Sequence, residues 1–418
     1  MSLDRILSRI AVGLFAILLT SPLFGQGPLG MQIFAPADLS TLGGSIEPNE
    51  GYFFQYDVLY WSISAPKTKV VGAPGLTRTV SYGPHPLNSL DPFSDERIET
   101  STLDSGALLA NFSVGNRFDF GRIEDRHGWL MSIYQLRDQG ETLNYPNADI
   151  VFKDPPTGSR GTHLLQGPVP LNPTLFPSDP TVVIRDLPVT LYNISMMQET
   201  STWGVEANYL YRAMTCHNGG TFEFFGGARY LEFNDMYGIQ VGQGPADLQV
   251  PDFLAGSSWY TDAHNHIVGP QVGVRWFKKR GRWMLSTEGR FMAGLNCQNF
   301  HQTATIGPNL NSGGLESNGS STGSVPYPYT PTAMAPTVAT HDAYDRVFTP
   351  LVELRLEARY QITRSVSFHA GWTGFWMDNI ARANAVIDYT VPAMGIDLSD
   401  NKQNVLINGL TIGFDINR

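Results

Sequence analysis

The sequence predicts an all-β protein: a single transmembrane antiparallel up-and-down β-barrel of about ten strands, with twelve to fourteen as the alternative count. Three observations carry that expectation. Long segments alternate apolar and polar residues with a period of two, as strands do when their two faces meet different surroundings. Short and long connections alternate along the chain, the outer-membrane arrangement of short periplasmic turns and long extracellular loops. Charged residues make up only 16% of the 418 residues and aromatics reach 11%, against about 25% charged in an ordinary soluble domain.

From the N-terminus, the first element reads as a secretory signal. Arg5 and Arg9 give a basic start, Ile10 to Leu19 an apolar core and SPLFG a small-residue exit, which places cleavage after Gly25. The apolar run falls short of the roughly 20 residues that a spanning helix needs. Its removal takes away Arg5, Arg9 and Asp4, shifting the formal charge from −10 to −11. An acidic exported chain without a basic run is a poor partner for nucleic acid, which demands clustered Lys and Arg. No later stretch approaches about 18 apolar residues, so a membrane is crossed by strands or not at all. Residues 26–50 read as a periplasmic tail, and residues 51–418 as one outer-membrane barrel domain.

The opening strand, GYFFQYDVLYW, sets Tyr52, Phe54, Tyr56, Val58 and Tyr60 on one face and Gln55 and Asp57 on the other. Phe53, Leu59, Trp61 and Ile63 share the second face, which fits a narrow, partly filled interior. Residues 107–122 put Leu108, Ala110, Phe112, Val114, Phe118 and Phe120 opposite Asn111, Ser113, Gly115, Arg117 and Asp119. Strands follow at 128–138, at 188–214 as one extended strand with an irregularity near Glu199, and at 220–233, 264–277 and 282–295. In 347–361, Val352, Leu354, Leu356, Ala358 and Tyr360 alternate with Glu353, Arg355, Glu357 and Arg359. Each Arg facing lipid near the midplane costs about 2 to 4 kcal/mol, which fixes that register. Strands at 365–377 and 405–417 complete the set. Short connections fall at 123–127, 216–220, 278–282 and 362–364; long ones at 65–106, 140–187, 234–262, 301–342 and 378–404. Unpaired edges are untenable in hydrocarbon, so 51–64 must pair with 405–417.

Two features favour lipid over water outside the wall. All six lysines lie in connections, and aromatics gather beside the short turns: Tyr52, Phe54, Phe118, Phe120, Trp129, Tyr209, Tyr211, Trp276, Trp283, Tyr360 and Phe368. Their placement reads as a membrane-interface girdle.

The blocks FFQYDVLYW, GVEANYLYR with FEFFGGARYLEF, GPQVGVRWFKKRGRWMLSTEGRFMAGLNCQN, LVELRLEARYQITRSVSFHAGW and the closing LTIGFDINR resemble the β-barrel porin-7 family of bacterial outer-membrane proteins. The resemblance implies a single outer-membrane barrel with a porin-like role, and brings no catalytic residue. The chain departs from general outer-membrane practice at its end, where Phe414 is followed by Asp415, Ile416, Asn417 and Arg418.

The candidate functional residues are charges on the inward face: Asp57, Arg117, Asp119, Glu206, Arg212, Glu223, Arg229, Arg275, Glu288, Arg290, Glu353, Arg355, Glu357 and Arg359. They read either as a constriction that selects solutes by charge or as a salt-bridged filling. About eight strands leave room only for side chains and open channels take about sixteen, so ten strands imply a small or closed lumen. GSSTG (319–323) matches GxSxG but sits in a Gly- and Ser-rich stretch without the strand and helix that a nucleophile elbow needs. DAHNH (262–266) reads as surface histidines, with no HExxH or Cys partner in sequence to make a metal site. By parity Cys216 lies at the periplasmic rim and Cys297 toward the extracellular end, so no disulfide between them is expected. The sequence therefore predicts no enzyme, cofactor or metal. Its leading function is porin-like passage of small solutes through an Arg/Glu-lined lumen. The alternative is a structural or adhesive surface barrel with a closed lumen, whose loops bind envelope polymers. Expected partners are outer-membrane lipid and the barrel-assembly machinery.

Overall fold

The computed structural model describes residues 51–72, 78–82, 94–98, 103–110, 112–153, 186–216, 219–243, 254–307, 337–389 and 394–417. The signal and tail expected over 1–50 and the GSSTG stretch lie outside the described residues. Ten antiparallel strands form a closed barrel: β1 (Gly51–Ile63), β2 (Phe112–Glu124), β3 (His127–Lys153), β4 (Asp186–Arg212), β5 (Gly220–Val241), β6 (Ser258–Arg280), β7 (Trp283–Ile306), β8 (Thr337–Gln361), β9 (Val366–Ile380) and β10 (Gln403–Asn417). Each strand pairs with its chain neighbours, and β1 closes on β10 from Phe53↔Asn417 to Ile63↔Ile407. The turn between β6 and β7 is a two-residue hairpin in which Gly281 takes φ 60, a backbone region open to glycine at little cost. Small hairpins pair 78–82 with 94–98 and 387–388 with 395–396.

On β8 the outward positions from Phe348 to Tyr360 are apolar, with Val352, Leu354 and Leu356 all exposed. About twelve steps of about 3.4 Å, tilted by about 40°, rise roughly 31 Å, one hydrocarbon thickness. The inward positions Glu353, Arg355 and Arg359 are buried. β4 behaves alike: Val205, Tyr209 and Tyr211 are exposed while Glu206, Asn208 and Arg212 are buried.

Above that band the strands continue and the two faces exchange chemistry. On β8, Asp342 and Arg346 point outward and Val347 inward; on β7, Asn299 and His301 point outward and Phe300, Ala304 and Ile306 inward. β5 adds Tyr237, Ile239 and Val241 to the inner face. Strands β3 to β8 thus project beyond the membrane band as a barrel that is wet outside and apolar inside.

This exchange corrects the expected boundaries. The connections expected over 140–187, 234–262 and 301–342 surrender much of their length to strand, because an alternation whose sign reverses no longer reads as one strand. Leu108 is a second correction. It does not face lipid in a strand over 107–122; β2 starts at Phe112, and Leu108 follows a single 3-10 turn, Ser105–Ala107, and is 2% exposed in the extracellular core. The segment around 188–214 is one strand. Its irregularity falls on the neighbour β3, where the register slips between Leu136 and Gln139 opposite Thr202 and Thr200, an extra residue that bends the wall.

Candidate functional site: a filled lumen

The barrel interior is stacked in layers. At the periplasmic end Phe53, Ile123, Leu130, Leu210 and Phe225 form a small apolar cluster. Above it the inward parity of seven strands brings the candidate charges into one belt. Arg212 pairs with Glu223 at 2.8 Å and Glu223 with Arg275 at 3.1 Å. Arg275 pairs with Glu288 at 2.5 Å, and Arg290 touches both Glu288 and Glu206. Arg229 bridges Glu206 at 2.5 Å and Glu353 at 2.7 Å, and Arg355 joins Glu353 and lies 3.8 Å from Glu288. On the other side Arg117 holds Asp57 at 2.5 Å and Asp119 at 3.8 Å, while Arg359 holds Glu357 at 2.9 Å.

All fourteen candidate charges lie in this belt, seven acids against seven arginines. These members pair with one another across strands. Such pairs lose hydration on burial, and the loss is offset only by close geometry and shared hydrogen bonds. Glu206 shows the sharing, accepting from Arg229, Gln271 and Arg290.

Two belt members escape the sequence list. His369 on β9 sets Nε2 2.6 Å from Asp57 and Nδ1 3.0 Å from Asp415, whose other oxygen meets Arg359 at 3.1 Å. The signal was available: in SVSFHAGW and LTIGFDIN both residues occupy inward parity next to outward Phe368 and Phe414. Asp415 ties β10 into the belt.

Higher still, Leu59, Trp61, Tyr134, Leu231, Phe233, Phe375, Met377 and their neighbours close the lumen as an apolar layer. Trp61 packs 5.2 Å from Phe375 and 6.1 Å from Tyr134, ring centre to ring centre. Over this layer sits a plug made by the chain after β9. Asn265 accepts from the Ala381 amide at 2.8 Å and donates to its carbonyl at 2.9 Å. Arg382 reaches Asp235 at 3.1 Å, and Asp235 also accepts from the Ala383 amide, Thr200 and Gln198. Neither Asp235 nor Arg382 was a sequence candidate, because 233 was the expected end of that strand. Further out, the Asn401 amide donates to Asp345 at 3.0 Å and holds its carboxyl below the usual range. Burial pushes the Tyr389 phenol well above its ordinary value.

Two cavities of about 30 Å³ interrupt the filling, each with room for one or two waters. One lies within the belt between Gln55, Asp119, Glu288 and Arg355; the other opens at the periplasmic rim beside Lys279, Arg282 and Arg364.

The girdle candidates lie on the outer wall. Tyr52, Phe120, Trp129, Tyr209, Tyr211, Trp283 and Phe368 are exposed, while Phe54, Phe118, Trp276 and Tyr360 are half-buried by outward neighbours. Trp283 and Tyr360 stand 5.0 Å apart, Phe120 and Trp129 5.2 Å. Cys216 and Cys297 are both free thiols. Among the described residues no three His, Cys, Asp or Glu side chains gather as a metal-ligand set.

Comparison with known proteins places this architecture. The model of the family described as "Putative beta barrel porin-7" matches residues 94–415. Among solved structures, the outer membrane protease OmpT of Escherichia coli is similar at 7% identity and TM-score 0.43, over 88% of this chain and 97% of that one. A Pseudomonas aeruginosa FadL homologue is similar at 8% identity and TM-score 0.23, over 90% and 96%. The Pseudomonas putida toluene transporter TodX is similar at 8% identity and TM-score 0.20, over 92% and 93%. No curated protein matches the chain.

Proposed function

Because the chain belongs to the putative beta barrel porin-7 family of outer-membrane barrels, yet carries a filled lumen, we propose that it is a closed surface barrel. Its work is done by the extracellular projection and the loops it carries. The observation that supports this reading is the stacking of three independent obstructions in series: the neutralised Arg/Glu belt, the Trp61–Phe375 layer and the plug at 381–386. A movable loop alone explains a gate. It does not explain two further layers built from the wall strands themselves.

The projection's polar outer face suits contact with envelope polymers, and no enzymatic step is assigned to it. Porin-like passage of small solutes is the second reading, supported by the polar belt and the water-sized cavity within it. It requires strand-borne ion pairs to part. Planar-bilayer recording separates the two. The closed reading expects no unitary conductance from refolded protein, nor from the Asp235→Ala variant, in which the plug is loosened but both lower layers remain. Regular current steps in the native protein would sink it. Deleting 308–335, which leaves β7 and β8 intact, is expected to weaken binding to isolated envelope polymer without unfolding the barrel.

A further inference from the structure

The DAHNH stretch acquires a second meaning on the outer wall. Val268 is the last exposed apolar residue of β6; beyond it His266, His264 and Asp262 share the outward face, at the aqueous edge of the band. The rings of His264 and His266 lie nearly parallel, with centres 6.4 Å apart and an interplanar angle of 17°. The next strand, β5, holds both of them from behind. His264 Nδ1 lies 2.7 Å from Asn234 Oδ1, and His266 Nδ1 lies 2.9 Å from the Tyr230 hydroxyl.

Glu232 organises that second row. It accepts from Tyr230 at 3.1 Å through one oxygen and from Asn234 at 2.8 Å through the other. With its proton given to Glu232, the Tyr230 hydroxyl can only accept, so His266 Nδ1 must donate. With its amide nitrogen given to Glu232, Asn234 presents Oδ1, so His264 Nδ1 must donate too. Both imidazoles are thereby fixed in one tautomer, each leaving an Nε2 lone pair. That is how a carboxylate one shell out prepares histidines for a metal.

We propose that His264 and His266 form a two-histidine chelate on β6 for a divalent transition metal of the Ni2+, Cu2+ or Zn2+ class, with Glu232 as the positioning residue. Imidazole nitrogens suit these ions. Residues two apart on a strand stand about 6.8 Å apart at the backbone, so the two nearly parallel rings must turn toward each other to share an ion at about 2.0 Å. Cys297 stands opposite His266 in the register, but among the described residues no three His, Cys, Asp or Glu side chains gather as a ligand set, so water completes the shell. The site lies half-buried on the outer wall and is independent of whether the lumen conducts.

The test is isothermal titration of the refolded full chain with Ni2+, which free thiols do not reduce. One tight site per chain is expected. His264→Gln and His266→Gln should each weaken it by about tenfold or more, and Glu232→Gln by roughly 10- to 100-fold while the barrel stays folded. His301→Gln serves as control, because His301 has its nitrogens engaged by Asp342 and Thr303, and it should change nothing. Cu2+ spin resonance should show two coordinated nitrogens in the native protein and one in either single histidine variant. Unchanged Ni2+ affinity in the double histidine variant overturns the site. Unchanged affinity in Glu232→Gln overturns its positioning role.

Discussion

Asp235 offers the sharpest energetic test of the plug. It is buried at 2% exposure, and it faces Arg382 at 3.1 Å, the Ala383 amide at 2.8 Å, the Thr200 hydroxyl at 2.7 Å and the Gln198 amide at 3.2 Å. Truncating it to Ala strands Arg382, itself 2% exposed, without its counter-charge, which costs about 3 to 5 kcal/mol. Arg382→Ala should cost less, since Asp235 keeps three hydrogen-bond donors. The double variant should cost far less than the sum of the two singles, because neither charge is then orphaned; a coupling of about 1 to 3 kcal/mol is expected. Urea unfolding of refolded protein in detergent reads the total, and hydrogen exchange at the Ala383 amide reads the plug locally. A loss below about 1 kcal/mol for Asp235→Ala, with Ala383 protection unchanged, refutes the clamp.

Four further outcomes follow from the same geometry. Leu354→Arg, outward on β8 within the apolar band, should destabilise the barrel by about 2 to 4 kcal/mol in bilayers, whereas Thr303→Arg on the projecting part of β7 should be nearly neutral; equal losses would displace the membrane band. His369→Leu leaves Asp57 and Asp415 each short of a partner and should cost about 3 kcal/mol or more by urea titration. Gly227→Val should block refolding on a denaturing gel, because even a β-carbon there stands 1.9 Å from the Ala207 carbonyl oxygen. Asp345 has its carboxyl pKa lowered in the fold, so its contribution is present above the unfolded carboxylate pKa and fades as pH falls below about 4; exchange in 394–402 should rise on acidification, and Asn401→Ala should remove that pH dependence.

Within the band the sequence was nearly complete. Parity assigned the strands and the inward side of all fourteen charges, because a misplaced Arg in lipid is costly enough to leave a mark on every second residue, and the need to close the edges assigned the pairing of β1 with β10. The belt's partners were not legible. Arg229 lies between Glu206 on β4 and Glu353 on β8, and such meetings across the lumen depend on barrel diameter rather than spacing. His369 and Asp415 had the right parity but stood alone among apolar neighbours. Above the band legibility failed for a different reason: Asn234 and Asp235 look like a turn in sequence, yet the first sits on a wet outer wall and the second in an inner clamp.

That failure and the filled lumen have one cause. Once β3 to β8 leave the bilayer their outer faces meet water, and the inner faces carry the apolar load, as Tyr237, Trp259, Phe300 and Ile306 do. An apolar barrel mouth left empty would wet its own core, so it must be filled by other chain. The fillers come from the connections: Leu103 and Leu108 from the one between β1 and β2, of which only Leu103 lay in an expected loop, and Ala383, Val386 and Tyr389 from the one between β9 and β10. A wide aqueous vestibule would call for polar inner faces up to the rim. The reversal of polarity along β3 to β8 therefore supports the proposed closed barrel independently of the ion pairs below it, and shortening these strands at their extracellular ends should expose the plug to protease before it disturbs the belt.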